Sequence, residues 1–157
     1  LKIQIIAFGR LRFPGYREAA DEYLKRLRPW SKCEEVELKP LSVPDKSAAT
    51  RARIQEQEAE LFLSRAGNAR LILLDETGKN LHTQEWAKLA RDWETSGQDV
   101  VLGIGSSLGW APAPKKKATL VSLGSQTLSH ELARVVLLEQ VYRALSVVRG
   151  HPYHNEG

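Results

Sequence analysis

Residues 129–157 read SHELARVVLLEQVYRALSVVRGHPYHNEG, a helix with almost no polar face followed by a tail that concentrates Arg149, His151, Tyr153 and His154. Histidine changes charge near neutral pH, tyrosine joins a stacking ring to a hydroxyl donor, and a guanidinium is a permanent fork of donors. Side chains of these types can move a proton, hold a developing anion or stack on a base. A fraying terminus has no packing reason to gather them. The tail therefore reads as an RNA contact or a catalytic element, and composition leaves the two open.

The helix ahead of the tail must position it. Ser129 is placed to cap its start, Glu131 suits the positive end of its dipole, and Gly150 with Pro152 forms a left-handed stop. His130, at the helix start, is expected to be a satisfied core histidine. Glu139 and Arg143 stand four apart in the favourable order; the pair is worth about 0.3–0.5 kcal/mol if exposed, and fixes geometry if enclosed. Leu132, Val136, Leu137, Val141, Ala144, Leu145 and Val148 do not share one stripe. A helix apolar all round is buried all round. A chain of 157 residues has little besides its own sheet to cover such a helix, so a second copy is the natural cover and a homodimer is expected.

Upstream, apolar periodicity alternates between strand and helix spacing five times, which predicts an α/β fold. KIQIIAF (2–8) reads as a strand, and Tyr16, Ala19, Ala20, Tyr23, Leu24 and Leu27 fall on one face of a helix ended by Pro29. CEEVELK reads as a strand with Val36 and Leu38 inward and one wet face. A charged helix over about 47–65 turns Ile54, Leu61 and Phe62 inward and stops at Gly67 and Asn68. ARLILLD is a strand ending at Asp75 before a loop ETGKN, and Trp86, Leu89, Ala90 and Trp93 mark the next helix. DVVLGIG, a short APAPKKKA connection and ATLVSL complete five strands. Short connections imply an open, mostly parallel sheet with helices on both faces, in a single domain over 1–157.

In such sheets ligands bind beyond the carboxyl ends of the strands, here at Leu74 to Lys79, Gly103 to Trp110 and Leu123 to His130. The last two loops are rich in Gly, Ser and Thr, which frees backbone groups for a nucleoside, although turn chemistry demands the same residues. GIGSSLG lacks the dinucleotide spacing and follows the fourth strand, and no GK[ST] phosphate loop, GxSxG elbow or HExxH pair is present. A net charge of +4 favours a polyanionic partner, with Arg10, Arg12 and Lys115 to Lys117 as candidate phosphate contacts. One cysteine, Cys33, permits no internal disulfide and reads as a partly buried thiol; no Cys/His spacing predicts a metal. No segment is long and apolar enough for a membrane span, and LKIQIIAFGR lacks a signal-peptide pattern, so a cytoplasmic protein is expected.

HELARVVLLEQVYRAL followed by RGHPYH resembles the C-terminal signature of the RlmH family, bacterial methyltransferases of pseudouridine N3 in large-subunit ribosomal RNA. The likeness covers nearly the whole chain, through KIQIIAFGR, the LDETGK loop, an IGxxxG loop and LGSQT before the histidine. It implies a trefoil-knotted SPOUT methyltransferase, a small α/β homodimer that binds S-adenosylmethionine at the knot and works on ribosomal RNA or the ribosome. By position it sets the cofactor against Leu74, Gly105, Leu123, Gly124, Ser125, Gln126, Thr127 and Leu128. The chain departs from the family pattern at Ser106, where a second glycine is usual, at Ser129 in place of proline, and at Asn155 in place of a basic residue. Under the resemblance Arg143 holds the charge of a deprotonated imide, His154 receives its proton and Tyr153 stacks on the base or donates to it. A non-catalytic ribosome-binding or assembly factor of the same fold is the rival expectation.

Overall fold

The computed structural model describes residues 1–155 and follows the alternation of strand and helix. β1 (Lys2–Phe8), β2 (Lys32–Leu38), β3 (Arg70–Asn80), β4 (Val100–Ile104) and β5 (Thr119–Ser122) form one sheet in the order β2-β1-β4-β3-β5. Every neighbouring pair is parallel. The helices are α1 (Pro14–Leu27), α2 (Ala48–Ala66), α3 (Thr83–Ser96), α4 (Pro112–Lys117) and α5 (His130–Val148).

Alternate strand residues point to opposite faces, and both faces are covered. Ile3, Ile5, Ile72, Val100, Leu102 and Val121 pack with Leu27 of α1, Trp86 and Trp93 of α3, and Leu137, Leu138, Val141 and Leu145 of α5. Ile6, Phe8, Leu71, Leu73 and Val101 pack instead against Phe62 and Ala66 of α2 and against Trp110. Gly103 sits in this second layer, where a Cβ would stand 2.7 Å from the Leu73 side chain and 2.8 Å from the Phe62 ring. That glycine serves packing, not a ligand. Parallel strands bring their carboxyl ends to one edge, so the loops after β1, β4 and β5 and the outer part of β3 share it.

Five expectations need correction. β3 does not end at Asp75 but runs through ETGKN to Asn80, because Lys79 and Asn80 pair with Val121 and Ser122 of β5 after a register shift from Leu74. The Gly and Asn turn signals there lose to a long-range partner. Gly78 permits the second approach, since a Cβ would lie 2.5 Å from the Val121 nitrogen. PAPKKK is a short helix, with Pro112 in its first turn where the missing N–H costs nothing. The second face of β2 is wet only in part: Glu37 is exposed, but the Glu35 carboxylate, 11% exposed, is bonded by Arg17 and by Arg134. On α2, Leu61 points outward and Glu58 inward. His130 is exposed, not a core histidine.

The remaining local readings hold. The Ser129 side chain accepts from Leu132 N at 3.2 Å, and Gly150, at φ 66°, ends α5. Cys33 is partly buried; burial, with Glu35 and Glu34 nearby, pushes its thiol up to about 12.

Candidate active site

Ser146 and the residues after Val148 turn the tail back on α5. Gly150 N donates to Val147 O at 3.2 Å and His151 N to Ser146 O at 2.9 Å. Aromatic contacts hold the fold-back. Trp30 stacks on Tyr142 with ring centroids 5.2 Å apart, His151 meets the Trp30 edge at 5.2 Å, and Tyr153 meets Tyr142 at 4.5 Å. Arg149 adds a bond to Trp30 O at 3.2 Å and an ion pair with Glu94 at 2.9 Å.

This hook delivers Tyr153 and His154 to the middle of α5. Glu139 and Arg143 are one turn apart there, and the carboxylate accepts from Arg143 Nε at 3.0 Å and again from Nη2. Tyr153 donates its hydroxyl to the same Glu139 oxygen at 3.0 Å, with Arg143 Cζ 4.8 Å from its ring centroid. Arg143 Nη1 stands 3.0 Å from His154 Nδ1. A guanidinium only donates, so Nδ1 is the acceptor and the neutral ring carries its proton on Nε2. Glu139 raises the Arg143 pKa further above its ordinary value. Burial first, then hydrogen bonding with Tyr23 and Glu139, drives the Tyr153 phenol well above its ordinary value. The cluster thus holds a fixed cation, a phenol that keeps its proton, and a histidine with a committed ring nitrogen.

The second constellation lies at the carboxyl edge of the sheet. Trp110 organises it: buried between Phe8 and Phe62, it donates Nε1–H to Leu74 O at 2.9 Å and lies over Gly105, where a Cβ would come within 3.3 Å of its ring. Glu58, 4% exposed, accepts from the Ser106 hydroxyl at 2.6 Å and from Leu41 N at 3.0 Å. Gln55 Nε2 binds Leu108 O. These bonds define the path of the loop after β4. Asp75 takes Lys115 at 3.4 Å and Thr77 N at 3.1 Å. Burial alone would raise the Asp75 pKa, but the Thr77 bonds and the Lys115 charge bring it below the ordinary carboxylate value.

Beyond β5, Gly124 has φ 133°, and its N–H and C=O are both bonded to the Ser122 hydroxyl, at 3.2 and 2.8 Å. Gly124, Ser125, Gln126 and Thr127 are exposed, and Leu128 is half-buried. From Ser125 to Leu128 no backbone–backbone hydrogen bond forms among the described residues. Such a segment offers donors and acceptors to a ligand.

The family model described as "Predicted SPOUT methyltransferase" matches residues 1–154. The chain belongs to the SPOUT methyltransferase family. Among curated relatives it is 41% identical over 157 residues to Ribosomal RNA large subunit methyltransferase H of Anaeromyxobacter dehalogenans (strain 2CP-C), covering 98% of this chain and 99% of the relative. The protein of the same name from Methylobacillus flagellatus is 40% identical over 159 residues, covering 99% and 100%. That from Burkholderia mallei (strain SAVP1) is 38% identical, covering 98% and 99%.

Within this SPOUT chain, Arg143, Tyr153 and His154 come together, and Leu74, Gly105 and Leu123 to Leu128 share one edge. The two groups do not meet. α5 leads away from the cofactor loops, and its rise sets Arg143 about 20 Å along the axis from His130. Sequence reasoning missed Trp110, Glu58 and Trp30, whose partners are distant in the chain. The indole before a proline-bounded helix and a glutamate on the inward face of α2 were the available signals.

Proposed function

We propose that this chain is an S-adenosylmethionine-dependent methyltransferase acting on N3 of a pseudouridine in large-subunit (23S) ribosomal RNA, on assembled ribosomes. It works as a cytoplasmic homodimer of one SPOUT-type domain over residues 1–157 with a C-terminal trefoil knot. The observation that carries the reading is the Arg143 guanidinium held between Glu139 and His154 Nδ1, in a chain whose relatives are named for methylation of this RNA. Support for the knot comes from the match to the SPOUT methyltransferase family model over residues 1–154.

The residues present fit the cofactor: the exposed backbone from Ser125 to Thr127, with Leu128 beside it, keeps its polar groups for a nucleoside, and the lack of a side chain at Gly105 lets Trp110 pack over the loop after β4 and fix its path. When bound, S-adenosylmethionine supplies an electrophilic methyl group. Leu74, Gly105 and Leu123 to Leu128 hold it, and the chain's task is orientation, exclusion of water and management of one proton.

An imide N–H is a poor nucleophile until deprotonated. Three of the five N–H donors of a guanidinium are engaged by Glu139 and His154, which leaves two for carbonyl oxygens flanking the nitrogen. Tyr153 keeps its proton and presents a ring for stacking. His154 receives the imide proton as Arg143 turns from Nδ1 toward the substrate, so one movement exposes the lone pair and aims the cation at the new anion.

The α5 stripe Leu132, Val136, Glu139, Gln140, Arg143 and Val147 stays half-buried in one chain. A second copy covers it and brings its tail to this chain's cofactor edge. Incubation with labelled S-adenosylmethionine and 70S ribosomes, large subunits or bare 23S RNA, followed by nucleoside mapping, tests the reading. Label at a single pseudouridine N3 is expected. Cofactor binding by calorimetry without transfer to any of the three supports the non-catalytic ribosome factor instead.

A further inference from the structure

Phe13 is the most exposed large apolar side chain among the described residues, at 58%. It does not hang loose. Its ring lies 4.9 Å from Tyr16, and it passes over Gly15, where a Cβ would meet it at 3.1 Å. The loop that carries it, from Gly9 to Phe13, is fastened at three points by distant parts of the chain. Gly9 N donates to Leu38 O at 2.8 Å, and Gly9 O accepts from the buried Arg134 at 2.9 Å. The Glu131 carboxylate, at the start of α5, accepts from both Arg12 N and Phe13 N, the latter at 2.9 Å. Leu11 turns inward and is buried, so Arg10, Arg12 and Phe13 are left facing solvent. Neither the Arg10 nor the Arg12 guanidinium has a hydrogen-bond or ion-pair partner among the described residues.

The exposed ring, pinned against Tyr16 and Gly15, thus shares its loop with two guanidinium groups that have no partner among the described residues. A nucleobase fits its face and phosphates fit its flanks. Because β1 is parallel to β3, β4 and β5, this loop stands on the same sheet edge as the cofactor segments, beside the start of α5.

We propose that the β1–α1 loop is an RNA-docking element in which Phe13 stacks on an unpaired base of the substrate while Arg10 and Arg12 contact the adjoining phosphates. This rests on the ribosomal RNA reading above. The Arg12 and Phe13 backbone donors are taken by Glu131, so recognition runs through the ring and the two guanidinium groups.

Steady-state methylation of 70S ribosomes by wild type, Phe13→Ala, Phe13→Trp and Arg10→Ala/Arg12→Ala tests it, with cofactor affinity by calorimetry and mass by light scattering on each. Phe13→Ala is expected to raise KM for ribosomes roughly tenfold or more, in line with the loss of one base–aromatic stack, with kcat and cofactor affinity unchanged. Phe13→Trp keeps wild-type KM. The double arginine variant lowers the salt slope of binding by roughly one to two. If wild type methylates no RNA, the parent reading has failed and the docking proposal goes with it. If wild type methylates ribosomes and Phe13→Ala retains its KM, the docking proposal alone is overturned. The same follows if Phe13→Ala halves the mass, because the ring then seals a protein interface.

Discussion

Arg143 is held in a fork geometry that a lysine cannot copy, since two of its bonds go to one carboxylate and a third goes to His154. Arg143→Lys is therefore expected to lower kcat roughly a hundredfold, the scale of removing an oxyanion donor, while cofactor affinity measured by calorimetry stays at wild type. A lysine variant with wild-type single-turnover rates would remove Arg143 from the chemistry. Tyr153 gives a pH signature. Its phenol pKa is raised by burial, Tyr23 and Glu139, so the protonated donor persists through the range in which a free tyrosine would ionise. The rate against pH should show no falling limb from this group up to about pH 10, the ordinary tyrosine value. A falling limb below that, abolished in Tyr153→Phe, is the contrary result. This cluster was legible in the sequence because its members are one helical turn apart or adjacent in the tail. His130 was misjudged for the reverse reason: a helix start says nothing about which neighbours arrive from elsewhere.

At the scale of elements, the sheet and its helices followed from periodicity, while the links between elements did not. Arg134 shows why. It bonds Glu37 at 2.6 Å, Glu35 at 3.2 Å and Gly9 O at 2.9 Å, partners about a hundred positions away that no local pattern connects. Arg134 is 3% exposed, and Arg134→Met would leave the Glu35 and Glu37 charges short of a partner, at a cost of about 3–5 kcal/mol by denaturant unfolding. A cost under 1 kcal/mol would mean that Arg17 alone suffices. The Asp75 and Lys115 pair likewise ties α4 to the outer part of β3, the two places where local turn signals misled. Since the folded pKa of Asp75 lies below its ordinary value, its contribution is present above about pH 4 and is lost as pH falls through the folded value. Acid unfolding followed by circular dichroism should be shallower below pH 4 in Asp75→Asn than in wild type, and equal slopes would show that the pair contributes nothing.

For the whole molecule, the separation of the two constellations decides how they work. The cofactor edge lies at the start of α5 and the Arg143 cluster about 20 Å further along it, so one chain cannot join its own halves across that helix. Two copies related by a two-fold axis can, provided that α5 lies in the seam and each tail serves the partner's edge. This arrangement makes a prediction that a pair of independent sites does not. Gly124→Trp, which fills the cofactor segment, and Arg143→Ala, which removes the cation, should each be inactive as homodimers. Unfolding, remixing and refolding them together creates heterodimers in which one site pairs an intact edge with an intact tail and the other site has lost both. With random pairing, half the dimers are mixed and each has one working site of two, so roughly a quarter of wild-type methylation should return. Were each chain to use its own tail, every site in the mixture would carry one defect and no activity would return. Recovery near a quarter, read together with a dimeric mass by light scattering, thus separates a shared site from two private ones.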